Sequence, residues 1–277
     1  MTGFWQVLSR HRVSRLTLLD FGDFAVGPMG SPVKRIIGIP GFLIATDLGA
    51  HLLVDTGFDP LYAADPAAAE ARDLLSGFGQ LIGFSARQTL TGQLALLNLT
   101  PADITALILT HSHIDHIGSL NLLTCPLIVG AAERALPRPL YFTGAQPFDW
   151  PAVETLRVEA EMDLCQGLRL IPTPGHTQGH LSLLVTPPES RPLLLTADAI
   201  NRASEPAEGF PDAMDSAQAR TSAQRLAAVQ RETGAKMIFG HDPDQWRSLP
   251  KAPLPLVAEK RQAHHDDLTA PPRLTAR

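Results

Sequence analysis

Residues 111–116 read HSHIDH, three imidazoles and a carboxylate in six positions, directly after the apolar run ALIL at 106–109 and Thr110. In an extended segment alternate side chains share a face, so His111 and His113 point the same way. Asp115 and His116 then open the turn or helix that follows. Imidazole and carboxylate donors together suit Zn, Mn, Fe or Co. Two histidines alone would be explained as well by hydrogen-bonded core residues. Three histidines and an aspartate at the end of a buried strand call for a metal.

Three more candidates end apolar runs in the same manner. His176 lies in TPGHTQGH, Asp198 in LLLTADAIN and His241 in KMIFGHD. A carboxylate or imidazole at the rim of an apolar core costs free energy unless something pairs with it. A shared cation would relieve all three. Taken singly, Asp198 or His241 reads equally as an ordinary loop residue.

The elements that must position these groups are short apolar runs punctuated by Gly, Pro and Asp. Residues 41–57 read as a hairpin turning at Asp47-Leu48-Gly49. Thr100, Pro101 and Asp103 form a helix-start signal that leads into the strand ALIL. Further strands are expected at 127–129, 168–172, 181–186, 193–197 and 236–240, and a helix at 216–233. Asp215 or Ser216 caps that helix and Gly234 stops it. Strands grouped in hairpins, with few helices between them, predict sheets packed on each other with helices outside. Residues 60–95 are Ala-rich, then Gly/Phe-rich, and read as an inserted helical flap. One domain over 1–255 is expected, with 256–277 a loose tail in which His264 and His265 are simple tail histidines.

A chain of 277 residues is within reach of one layered α/β domain. With 44% hydrophobic and 18% charged residues it has the means for a sizeable core. A net charge of −5 with no Lys/Arg cluster argues against a nucleic-acid partner. Cys125 and Cys165 are too few for a disulfide framework and suit buried thiols in a reducing compartment. No run is long enough for a signal peptide or a membrane span, so a cytoplasmic protein with no membrane partner is expected.

The order of HxHxDH, the Gly-His of TPGHTQGH, an Asp after a strand and a late Gly-His resembles the metallo-β-lactamase superfamily over about residues 30 to 250. LLVDTG at 52–57 matches an early strand motif of that superfamily, and FGHDPDQWRSLPKAP at 239–253 is most similar to the N-acyl homoserine lactonase branch. The resemblance implies a four-layer αββα sandwich, two mixed sheets with helices outside, and two divalent transition metals at one edge. Zinc is the expected metal, with Mn, Fe and Co open, because His/Asp ligands accept them all. His111, His113 and His176 would hold the first metal, and Asp115, His116 and His241 the second. Asp198 would bridge them, with Asp55 and His180 supporting the ligands from behind.

The implied reaction is hydrolytic opening of a lactone ring, most like an N-acyl homoserine lactone (quorum quenching). Two dications about 3.5–4 Å apart can share a water and ionise it near neutral pH, which supplies the nucleophile. No serine or cysteine nucleophile is then needed, and no G-x-S-x-G elbow is present. Asp115 would also pass a proton to the departing oxygen. Another lactone, an aryl ester, an organophosphate or a thioester remain open as substrates, as does a non-catalytic metal-binding module.

One position departs from the pattern. Lactonases of this kind carry a tyrosine three residues after the bridging aspartate; here Asn201 stands there, and neither Tyr62 nor Tyr141 fits. An asparagine amide can still donate to a substrate carbonyl, and one such donor is worth about 2.7–4 kcal/mol. For an acyl pocket the apolar candidates are Phe58, Phe78, Leu81, Ile82, Phe84 and Phe142. Core packing or a homodimer interface explains them equally.

Overall fold

Leu52, Val54, Ala106 and Ile108 pack on one side of their strands, and Leu53, Leu107 and Leu109 on the other; both sets are buried. Strands covered on both faces need continuous apolar runs, which is why LLV and ALIL lack polar alternation. The computed structural model describes residues 3–28, 30, 32, 35–141 and 144–259. Seven strands form the first sheet: β1 (Val13–Val26), β2 (Arg35–Thr46), β3 (His51–Val54), β4 (Gly79–Ile82), β5 (Ala106–Leu109), β6 (Leu127–Gly130) and β7 (Thr155–Val158), in the order β4-β1-β2-β3-β5-β6-β7. Five form the second: β8 (Met162–Cys165), β9 (Leu168–Pro172), β10 (Leu181–Val185), β11 (Leu193–Ala197) and β12 (Lys236–Phe239), in the order β12-β11-β10-β9-β8.

The sheets are mixed. β1–β2–β3 and β8 through β11 run antiparallel, whereas β3–β5–β6–β7 and β11–β12 are parallel. Leu16, Leu18, Ile44 and Ile108 of the first sheet meet Leu170, Leu183, Leu195 and Ile238 of the second in a shared core. The 18-residue helix Ser216–Thr233 buries Ala219, Ala223, Leu226 and Val229 against Ile171, Leu184 and Leu194 on the outer face of the second sheet. Asp215 caps it by accepting from the amides of Ala217 and Gln218, and Gly234 ends it at φ 68°. Leu90, Leu94, Ile114 and Ile117 cover the first sheet's outer face. The result is the expected four layers, helix–sheet–sheet–helix. Among the described residues no helix is long and apolar enough to cross a membrane.

Three features differ from expectation. β1 is a 14-residue strand whose pattern is interrupted by Asp20, Asp23 and a register shift between them, so no sequence period reveals it. Residues 60–95 are only partly helical: Leu61–Ala64, Pro66–Asp73 and Leu90–Ala95 are helices, but β4 joins the sheet edge by pairing with β1. The packed chain also runs past 255. The Leu256 amide donates to the Leu16 carbonyl, the Ala258 amide to Ser190 Oγ, and both side chains are buried. Residues 260–277, with His264 and His265, lie outside the described residues, as does Phe142.

The insert is tied down by a buried carboxylate. Asp73 accepts from the hydroxyls of Tyr62 and Tyr141, both at 2.8 Å, and from Arg72 Nε at 2.7 Å. Arg72 also donates to Asp59 at 2.8 Å and to the Tyr141 hydroxyl at 2.9 Å. Asp73→Ala leaves the Tyr62 and Tyr141 hydroxyls without their acceptor and Arg72 with Asp59 as its counter-ion, so a loss of about 1–3 kcal/mol is expected. A urea midpoint shift at unchanged slope would report it; an unshifted midpoint would rule the knot out as a support of the fold.

Candidate metal centre

The cluster forms where five strand ends meet. β3 leads to Asp55, β5 to His111, β9 to His176, β11 to Asp198 and β12 to His241. His113, Asp115 and His116 follow β5 in the turn and the short helix Ile114–Ile117. Two non-glycine residues flank the site in the left-handed region, Asp55 at φ 59° and Ala197 at φ 45°. Strain of that kind persists only where surrounding contacts enforce it. Gly240 is one such contact: a Cβ there would lie 2.6 Å from the Ala197 carbonyl oxygen.

Hydrogen bonds behind the cluster decide which ring nitrogens face inward. Asp55 accepts from the Thr110 amide at 2.8 Å, from Thr110 Oγ1 at 2.7 Å and from His116 Nδ1 at 2.9 Å. The Thr110 hydroxyl hydrogen is thereby used, so Thr110 Oγ1 accepts from His111 Nδ1 at 3.1 Å. His241 Nδ1 donates to the Gly38 carbonyl at 2.8 Å. In each of the three rings Nε2 is left for the cluster. His180 is different. Its Nε2 accepts from the Asp198 amide at 3.1 Å and its Nδ1 donates to Thr173 Oγ1 at 2.8 Å. The Thr173 hydroxyl in turn donates to Ser182 Oγ, which donates to the Thr196 carbonyl. Both nitrogens of His180 are committed, and the residue holds Asp198 in place.

Seven donors converge. His111 Nε2 and His176 Nε2 lie 3.1 and 3.0 Å from His113 Nδ1. Asp115 Oδ2 is 3.4 Å from His116 Nε2 and 3.5 Å from His241 Nε2. Asp198 faces both groups, at 3.4 Å from His176, 3.5 Å from His116, 3.2 Å from His241 and 4.0 Å from His111. Donor atoms of His111, His113 and His176, and those of Asp115, His116 and His241, each lie within 4.8 Å of one another.

Charge divides the cluster in two. Burial depresses the pKa of His111 and His113, and brings His176 down to about 3, so three neutral imidazoles converge there. On the other side burial opposes the charged forms, but the carboxylates and imidazoles facing each other outweigh it. His116 is raised by Asp115, Asp55 and Asp198; His241 is raised to about 9 by Asp198 and Asp115; Asp115 is held down at about 2. Neutral imidazole nitrogens crowded at 3.0–3.1 Å, and carboxylates that draw in protons, both answer to bound cations. Two buried inward atoms, His116 Nε2 and Asp198 Oδ1, have no hydrogen-bond partner. The donor set fits two divalent cations.

Other predicted site residues are placed differently. Asn201 is buried, its amide nitrogen donates to Glu205 Oε1 at 3.2 Å, and its Oδ1 has no partner. That engages one of the two N–H donors of an amide expected to face a substrate carbonyl. Phe58 is 2% exposed, its ring packed among Phe24, Tyr62 and Phe84, so it belongs to the core. Leu81 and Phe84 line a cavity of about 480 Å³ beside Leu75. Phe78 and Ile82 are 46% and 39% exposed. Sequence reasoning missed Thr110, Thr173 and Ser182, whose only signal is a hydroxyl residue next to, or on a strand beside, a ligand.

Residues 40–241 match the family model of the metallo-beta-lactamase superfamily. The chain is 32% identical over 243 residues to the N-acyl homoserine lactonase AttM of Azorhizobium caulinodans, covering 81% of this chain and 89% of that one. It is 30% identical over 219 residues to the N-acyl homoserine lactonase AiiA of Bacillus thuringiensis subsp. kurstaki, covering 75% and 82%. Its fold is similar to that of an N-acyl homoserine lactone hydrolase solved with N-hexanoyl-L-homoserine at its metal centre: TM-score 0.76, 23% identity, 88% of this chain and all of the other.

Proposed function

We propose, from the premise that this chain belongs to the metallo-beta-lactamase superfamily, that it is a dinuclear metal hydrolase opening N-acyl homoserine lactones. The observation that carries the chemistry is Asp198, one carboxylate facing imidazoles of both donor groups. The substrate class rests on the relatives that share about a third of its residues over most of its length.

His111, His113 and His176 would hold one cation, Asp115, His116 and His241 the other, and Asp198 both. Two cations held there would polarise a carbonyl and ionise water near neutral pH; zinc is our assignment for both. The chain's own groups do the rest. Asp55, Thr110 and the Gly38 carbonyl keep three imidazoles oriented for the site. Asp115 turns Oδ2 to His116 and His241, which leaves Oδ1 to carry a proton to the departing ring oxygen. The acyl carbon–ring oxygen bond breaks, water oxygen takes its place on the carbon, and the ring oxygen leaves as a hydroxyl. Asn201, held by Glu205 through one N–H, keeps its second N–H for the substrate carbonyl. The acyl chain is assigned to the apolar side chains of residues 60–95, where Phe78 is half exposed and Leu81 and Phe84 line a cavity. Free Cys125 and Cys165 suit a reducing, cytoplasmic setting.

The test is acid release on ring opening, followed with N-acyl homoserine lactones of several chain lengths and protein reloaded with Zn, Mn or Co. Metal-dependent turnover that changes with acyl length is expected. Protein holding two metals per chain that leaves every lactone at the background rate, yet cleaves an aryl ester, thioester or phosphotriester, would overturn the substrate assignment. A chain that binds no metal would overturn the whole reading.

A further inference from the structure

Glu133 is fully buried, in the short helix Ala131–Arg134 after β6, yet no cation pairs with it among the hydrogen bonds and ion pairs it makes. Its partners are neutral donors on two loops. Oε1 accepts from the Ser112 amide at 2.9 Å and from the Ser112 hydroxyl. Oε2 accepts from Thr177 Oγ1 at 2.8 Å and from the Gly179 amide at 3.3 Å. Four donors fill the four lone-pair positions of one carboxylate. Ser112 stands between His111 and His113, and Thr177 directly follows His176. The three imidazoles whose donor atoms converge therefore sit on two loops joined through a single side chain.

The backbone packs just as closely there. A Cβ on Gly179 would lie 2.1 Å from the Glu133 amide nitrogen, and one on Gly130 would lie 1.9 Å from the Gly179 carbonyl oxygen. Gln178 adds a hydrogen bond to the Ala132 carbonyl at 3.0 Å. On the far side of the first loop the Leu140 amide donates to Ser112 Oγ and the Tyr141 amide to the Ser112 carbonyl. An unpaired buried carboxylate is costly to keep for packing alone, and an apolar side chain could fill the same space.

We propose that Glu133 is a positioning residue for the first metal: its carboxylate clamps the His111–His113 loop to the His176 loop and so sets the spacing of the three imidazoles. The inference rests on the dinuclear reading above. Glu133→Gln keeps the shape but turns two of the four lone-pair positions into hydrogens that face donors.

The experiment isolates the first site with His241→Ala, which removes a ligand of the second, and titrates zinc against a chromophoric chelator. Adding Glu133→Gln is expected to weaken the remaining site about 10–100-fold, the usual effect of losing a group that orients a ligand. The visible absorption of the cobalt-loaded protein is expected to change shape as well, which a general loss of stability would not cause. Unchanged affinity and an unchanged cobalt spectrum overturn the proposal. If Glu133→Gln does not fold, Thr177→Val, which removes one of the four donors, decides by the same two readouts. A parent chain that binds no metal overturns both this inference and the proposed function; a parent that binds two, beside a Glu133→Gln chain that binds them equally well, overturns this inference alone.

Discussion

Asp198→Asn is expected to abolish lactone opening, with turnover falling by at least ~10³-fold, the upper range for loss of one preorganised electrostatic group. Asp198 meets imidazoles of both donor groups, and no other carboxylate in the cluster does. Asparagine has nearly the same shape but no charge. Two dications would then share the single negative charge of Asp115. Metal content is therefore expected to fall below two per chain together with the rate. Burial opposes ionisation of Asp198, but the facing His241 and His116 outweigh it and hold its carboxyl well below the usual carboxylate range. Elemental analysis and lactone turnover on the same sample check both parts. Full metal content with native turnover would remove Asp198 from the centre and leave the proposed chemistry without its bridge.

The second large effect comes from a residue that would touch no metal. Asp55 accepts the hydrogen on His116 Nδ1, and so leaves Nε2 to face the site. Asp55→Asn can place an amide hydrogen there instead, which moves the imidazole hydrogen to Nε2 and occupies the atom that should bind. In a catalytic triad the same exchange, with geometry intact, costs about 10⁴ in rate through the wrong tautomer. Here a loss of roughly 10–100-fold in affinity for the second metal is expected, with turnover falling further at limiting metal. Asparagine tolerates the left-handed backbone that Asp55 adopts at φ 59°, so the substitution tests the hydrogen bond and not the turn. Rescue by excess zinc would fit this account. A variant with native affinity at both sites would contradict it.

How much of this could be read from the chain alone depends on how far apart the cooperating residues lie. HSHIDH was legible because its four donors sit within one strand end and one turn, and backbone geometry fixes their relative directions within six residues. His176, Asp198 and His241 were legible by their type at the ends of apolar runs. The helix Ser216–Thr233 was legible because both its caps are local, Asp215 at one end and Gly234 at the other. The packed sheets followed from short apolar runs grouped in hairpins with few helices between them.

Tertiary structure alone decided the rest. β4 becomes a strand because β1, more than fifty residues earlier, offers it an edge, and its own four residues carry no period. Phe58 goes to the core, where it packs among Phe24, Tyr62 and Phe84, and Phe78 is half exposed, although both stand in similar Gly-rich stretches. Asn201 turns to Glu205 through a loop contact that its motif position does not specify. Glu133 looks like one more acidic residue on a short helix until the loops of Ser112 and Thr177 close on it from 21 and 44 residues away. Ligand identity is a property of side-chain chemistry and is written locally. Ligand orientation belongs to hydrogen bonds between distant segments, and those exist only once the chain has folded.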